Sequence, residues 1–209
     1  MTIKRLLKSS LCCCLIVFTY SIPQHAWGSQ FVRVQLDHGI SIDLPRDWAY
    51  VDENGQHLLK TYAESVSRIS GKSYGKVPLI IAKYPDPKTH ASVIVSSDPI
   101  SKSFGDYKDW GEEDLVRHGN GLRTDLGKNY SVQGIRLVEW LSTRKVTCKG
   151  IHSIQNRWRR SMLNNPVVLV EQTLIPAKEQ MITVMLSYHE KDKALWMPIM
   201  RAIYESLSF

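Results

Sequence analysis

Cysteine is scarce, and its placement matters more than its number. The 209-residue chain has four cysteines. Cys12, Cys13 and Cys14 sit together near the start, and Cys148 stands alone in the remainder. A single later cysteine excludes an internal disulfide there, so that part must rely on its apolar core. Apolar runs are short as well. Leu11–Tyr20, "LCCCLIVFTY", is ten residues long, whereas a membrane-spanning helix needs roughly 20. Enzyme signatures are missing: there is no G-x-S-x-G elbow, H-E-x-x-H pair, phosphate-binding P-loop or G-x-G-x-x-G turn. His38, His57, His90, His118, His152 and His189 show no metal-ligand spacing, and no acidic loop resembles a calcium site. Neither a metal nor a cofactor is expected. The last absence is local: from Trp140 to Val170 there is no acid.

What is present begins with a leader. Met1–Ser10 carries Lys4, Arg5 and Lys8 without an acid, the ten-residue apolar run follows, and small residues Ala26 and Gly28 close the pattern. This is the order of a secretory signal peptide, residues 1–28, with cleavage after Gly28. Export to the periplasm is expected, with the extracellular medium as the alternative. Residues 29–209 then form one domain of about 180 residues, a size that buries roughly 70% of its unfolded surface. The formal net charge is +7. The leader holds three of those positive charges, leaving +4, too little to point to nucleic acid.

No repeat or low-complexity linker interrupts the domain. Phe31, Val32, Val34 and Leu36, then Ile40, Ile42 and Leu44, flank "DHG", a hairpin signal with Gly39 free to take positive φ. The second run ends abruptly in "LPRDW". Leu58, Tyr62, Val66 and Ile69 have helical spacing. "VPLIIAKY" and "ASVIVSS" read as strands joined by "PDPKTH". Asp109 and Glu112 have capping-box spacing ahead of Leu115, Leu122 and Leu126. Four further strands are predicted over Ile135–Thr143, Ile151–Met162, Val167–Ile175 and Met181–Tyr188, their short connections favouring antiparallel pairs. A closing helix presents Leu195, Ile199, Ile203 and Leu207 with Trp196 and Met200, with Pro198 expected in its first turn. The class is α+β: an antiparallel sheet of six or more strands with helices packed on its faces.

A first hairpin ending "DLPRDW", a last strand ending "SYHEKD" and a terminal helix ending "IYESLSF" together resemble the PsbP-like/DcrB-like superfamily. The resemblance covers most of Phe31–Phe209 in element order. It implies an α/β/α sandwich and an accessory, adaptor or chaperone-like binding role without catalytic residues. In such a fold Pro45 ends the hairpin and Trp48 turns back to cover the sheet. The chain departs from the pattern in its basic Lys145–Arg160 region, in "YPDPKTH" and in lacking a lipid-attachment cysteine.

Within the acid-free segment, period-two reading puts Ile154, Trp158 and Met162 on one face and Arg157 and Arg159 on the other. Lys145 and Lys149 likewise oppose Val146 and Cys148. If the strands fold back at Lys149–Gly150, then Lys145, Lys149, Arg157 and Arg159 share one outward face. That face suits an acidic protein surface, with transient contact to an anionic membrane as a secondary possibility; the alternative is a merely solvated face that opposes aggregation. Cys148, sharing parity with Val138, Trp140 and Val146, reads as a buried thiol. A competing class is a thiol-dependent enzyme or hydrolase using Cys148 and His152.

Overall fold

Runs of alternating side chains, folded back by short turns, build most of the molecule. The computed structural model describes residues 30–50, 78–86, 88–100, 106–162 and 165–209. The leader and the helix expected over Leu58–Ile69 lie outside these residues. Nine strands are described: β1 (Phe31–Gln35), β2 (Ser41–Pro45), β3 (Ala49–Tyr50), β4 (Pro78–Lys83), β5 (Ala91–Pro99), β6 (Ile135–Cys148), β7 (Ile151–Met162), β8 (Val168–Ala177) and β9 (Gln180–His189). Helix α1 covers Glu112–Val132 and α2 covers Lys193–Ser206.

Strands β3 to β9 form a seven-stranded antiparallel sheet in the order β3-β4-β5-β9-β8-β7-β6. The β1–β2 hairpin is a separate two-stranded unit, turning through His38 (φ 61°) and Gly39 (φ 72°). Its Ser41 exchanges backbone hydrogen bonds of 2.8 and 2.9 Å with Ser208 just beyond α2. The two helices take opposite faces of the sheet, as adjacent side chains on β7 show. Trp158 points to α1, where its indole N–H donates to the Tyr130 hydroxyl at 3.1 Å. Arg157 points the other way, into a groove shared with Met200, Arg201 and Tyr204 of α2. Helices on both faces of one sheet are the expected α/β/α sandwich.

The "LPRDW" corner is a packing device. Ile42 and Leu44 are fully buried, β2 stops at Pro45, and Trp48 turns inward to meet the Trp196 ring edge-on at 5.9 Å. Trp196 also meets Tyr84, at 4.8 Å. These contacts correct the expected face of α2. Trp196, Met200, Ile203 and Leu207 are buried while Leu195 is exposed, because the large indole takes the core position and rotates the helix by one residue. Pro198 lies in the second turn instead of the first. It removes the donor for the Ala194 carbonyl, and Ala194 is exposed, where solvent serves that carbonyl.

Helix α1 also starts later than Asp109. Tyr107–Asp109 closes as one tight turn, capped by the Asp106 carboxylate accepting from the Lys108 N–H at 2.9 Å. The chain then re-extends at Gly111, whose N–H donates to Asp114 at 2.9 Å. Leu115, Leu122 and Leu126 form a half-buried stripe, and Gly119 lets the helix approach β6 closely beside Thr143 and Trp140.

Candidate functional site

The basic segment folds as the longest hairpin described. β6 and β7 pair from Ile135↔Met162 to Cys148↔Ile151, and the two-residue turn places Lys149 at φ 49° and Gly150 at φ 82°. Two consecutive positive φ values match the right-handed twist of the strands, and glycine is unstrained there. The fold-back at Lys149–Gly150 is therefore as the sequence reading has it. Strand parity along β6 is not, because bulges between Leu137 and Glu139 and between Trp140 and Ser142 shift the alternation. Trp140 consequently stacks on Trp158 at 5.7 Å on the α1 face, while Cys148 lies on the α2 face.

The four cations do not share one outward face. Lys145, opposite Ile154, lies on the α1 side, and its Nζ donates to the Lys108 carbonyl at 2.8 Å. Lys149 reaches from the turn to the Glu205 carbonyl at 2.6 Å. A cation is favoured at that helix C-terminus, where partial negative charge collects. Arg157 and Arg159 lie on the α2 side with carboxylates already beside them. Arg157 Nε is 3.2 Å from Glu171 Oε1. Arg159 Nε donates to both Glu190 oxygens at 2.9 and 3.0 Å, and its Nη1 donates to Glu139. These bonds hold the Glu190 carboxyl below its usual range and the Arg159 guanidinium well above its own. The acids come from β6, β8 and the turn after β9, outside the acid-free window. Sheet pairing carries them in from that distance.

The Cys148–His152 pair is split by the sheet. Cys148 sits opposite Ile151 and His152 opposite Thr147, so their side chains leave on opposite faces. Cys148 is buried in the α2-side core. His152 is exposed. A base on the far side of a sheet has no path to the thiol, so this arrangement does not form a nucleophile–base couple. Among the described residues no group of three metal-ligating side chains converges.

At the hairpin end a shallow groove of about 390 Å³ is lined by Ile100, Asp106, Gly150, His152, Pro176 and Lys178. Lys178, in the β8–β9 turn at φ 55°, was not among the sequence-derived site residues. Only a turn signal, "AKEQ", marks it in the sequence; the adjacency of β7 and β8 brings it beside Gly150. Lys145, Lys149 and Lys178 are exposed and none pairs with a carboxylate among the described residues. Asp106, the acid in this groove, faces Lys108 at 3.6 Å.

No family model matches the chain, and no curated protein matches it. Solved structures do. Cyanobacterial PsbP (CyanoP) from Synechocystis sp. PCC 6803 aligns over 86% of this chain and 92% of its own, with a TM-score of 0.56 and 14% identity. The chain has the PsbP-like fold. LpqN, described as involved in cell envelope biogenesis of Mycobacterium tuberculosis, aligns over 86% of this chain and 90% of its own at TM-score 0.47 and 15% identity. The Saccharomyces cerevisiae Ran-binding protein Mog1p aligns over 85% and 94% at TM-score 0.46 and 11% identity. At these identities the likeness is one of fold.

Proposed function

We propose that the chain is an exported, non-catalytic accessory module that docks an acidic protein surface through the tip of the β6–β7 hairpin. One observation carries this reading: of the four predicted docking cations, Arg157 and Arg159 are held by Glu171, Glu190 and Glu139, whereas Lys149 in the turn and Lys145 four residues before it are exposed and pair with no carboxylate among the described residues. The arginines brace the sheet and the lysines, joined by Lys178, face the partner. Magnitude favours a protein over a lipid surface. Each lysine near an anionic leaflet contributes about 1 kcal/mol, so three give about two decades of binding constant, too little to hold the molecule on a membrane.

The test is cross-linking and affinity capture in the native host, with the wild type beside Lys145→Glu/Lys149→Glu/Lys178→Glu. The expected result is a protein partner lost in the variant while the variant's thermal unfolding is unchanged. Capture that survives triple reversal with unaltered salt sensitivity refutes the docking surface. Sequencing the N-terminus of the protein recovered from the host tests export, with Ser29 expected as the first residue.

A further inference from the structure

At the other end of β7, twelve residues from the hairpin turn and so roughly 40 Å away, the sheet ends in a cleft of about 500 Å³. It lies between the β4–β5 turn and the β7–β8 connection, and His189 at the end of β9 closes its floor. Its volume is in the range of sites that enclose small organic molecules.

The lining is mixed. Arg160 on β7 pairs with Val168 on β8, which pairs in turn with His189 on β9, so the guanidinium and the imidazole flank an apolar side chain. Ile135 and Met162, a cross-strand pair beside Arg160, extend the apolar surface, and Met162 is half exposed at the rim. Tyr84 and His90 complete the lining from the β4–β5 side. Arg159 has two carboxylate partners; Arg160, the next residue, has none among the described residues. Arg160 lies instead over the Tyr130 ring, 5.7 Å from its centroid. The Thr89 hydroxyl, also in the lining, is buried without a hydrogen-bond partner among the described residues. One carboxylate lines the cleft, Asp86, and its Oδ1 already accepts the Lys88 N–H at 2.9 Å. His189 Nδ1 accepts the His90 backbone N–H at 3.1 Å, which leaves the proton of the neutral ring on Nε2 as a donor. Guanidinium, hydroxyl and imidazole groups therefore line one cleft beside the apolar side chains of Ile135, Met162 and Val168.

We propose that this cleft binds a small amphipathic organic anion, its carboxylate or phosphate-ester head held by Arg160 and its apolar body against Ile135, Met162 and Val168. The bound anion is also coupled to protons. His90 faces Arg160 from β7, His189 and the Ser187 hydroxyl from β9 and Lys83 from β4; His189 faces Lys191 and Asp192 from the following turn. Burial first, then those cations, lower His90 from 6.5 to about 4, so both rings are neutral in the empty cleft near neutral pH. An anion in the cleft opposes the cations' effect, and binding strengthens as pH falls.

Hexanoate and phenyl phosphate are the probes, with hexanol and inorganic phosphate as controls, read by amide chemical-shift mapping and calorimetry on the folded chain. Both amphipathic anions are expected to shift the Thr89, His90 and Val168 amides; hexanoate, which is still mostly ionised at pH 5.5, is expected to bind more strongly there than at 7.5, because a bound anion raises the imidazole pKa above its value in the empty cleft. Hexanol is expected to leave these amides unmoved. Arg160→Met, which keeps the stem over Tyr130, should weaken binding at least about tenfold, the loss expected for one charge-assisted hydrogen bond. Met162→Trp, a change at the exposed rim, should block the body without touching the cation. Shifts that fall elsewhere, or that survive both variants undiminished, overturn the site. Inorganic phosphate binding as tightly as phenyl phosphate overturns the amphipathic ligand class.

Discussion

Replacing Tyr130 by Phe removes one oxygen atom and tests how α1 is fastened to the sheet. Trp158 has no exposed surface, and its Nε1–H has one partner, the Tyr130 hydroxyl at 3.1 Å. Trp140 lies parallel to it, within 4°, and so presents a ring face and no acceptor lone pair. With the hydroxyl gone, a buried indole N–H is left unpaired, at a cost of about 1–3 kcal/mol. For a domain of this size that corresponds to about 2–4 °C in Tm per kcal/mol. The ring itself stays, so the contact beneath Arg160 persists and the cavity cost is small. Urea unfolding followed by tryptophan fluorescence and by far-ultraviolet circular dichroism measures the loss and checks that both probes report one transition. The companion variant, Trp158→Phe, orphans the hydroxyl in turn, and the double variant orphans neither. A cycle should therefore return a coupling of about 1–2 kcal/mol between the two sites. If Tyr130→Phe stays within about 0.5 kcal/mol of wild type, as a surface substitution does, the hydrogen bond does not fasten α1 and the reasoning fails.

Gly119→Ala should destabilise by about 1–3 kcal/mol through overpacking, because a Cβ there would sit 2.5 Å from Thr143 Oγ1 and 3.2 Å from Thr143 Cβ. Gly121→Ala, which meets open space in the same helix, should instead stabilise by about 0.5–1 kcal/mol through helix propensity; an equal cost at both glycines would refute crowding against Thr143 as the cause. Stability should also fall on acidification in two stages. His90 is lowered to about 4 in the fold, so between 6.5 and 4 the unfolded chain takes up a proton that the folded one refuses, and stability declines through that window. Glu190, lowered chiefly by the Arg159 hydrogen bonds, adds a second loss as pH falls through its folded-state pKa. Urea midpoints measured against pH should lose part of the first decline in His90→Gln, since burial also lowers His118 and His189, and part of the second in Glu190→Gln; unchanged profiles would refute these assignments.

Much of the fold was legible locally. "DHG" and "KG" mark turns whose positive φ angles are seen at Gly39, Lys149 and Gly150, and period-two runs became strands, β7 and β9 within a residue of their expected limits and β6 running on from Thr143 to Cys148. Such signals involve residues a few positions apart, and the backbone responds to them wherever the segment lies. The misreadings share the opposite character. Alternation alone put Trp140 and Cys148 on one face, but the bulge between Trp140 and Ser142 moved them apart. Spacing alone put Leu195 in the core, but the rings of Trp48 and Tyr84 drew Trp196 there instead.

Charge shows the division most plainly. By itself the sequence determined that this is an α+β chain built on hairpins, with a thirty-one-residue basic stretch that contains no acid. Only the tertiary structure decided what each cation does. Strand order set Glu171 beside Arg157, and Glu139 and Glu190 about Arg159; it left Arg160 over an aromatic ring and brought Lys178 to the hairpin tip. The physical reason is range. Turn and strand propensities act through neighbouring bonds, whereas ion pairing depends on distances in space, and in a sheet those are set by which strands lie side by side.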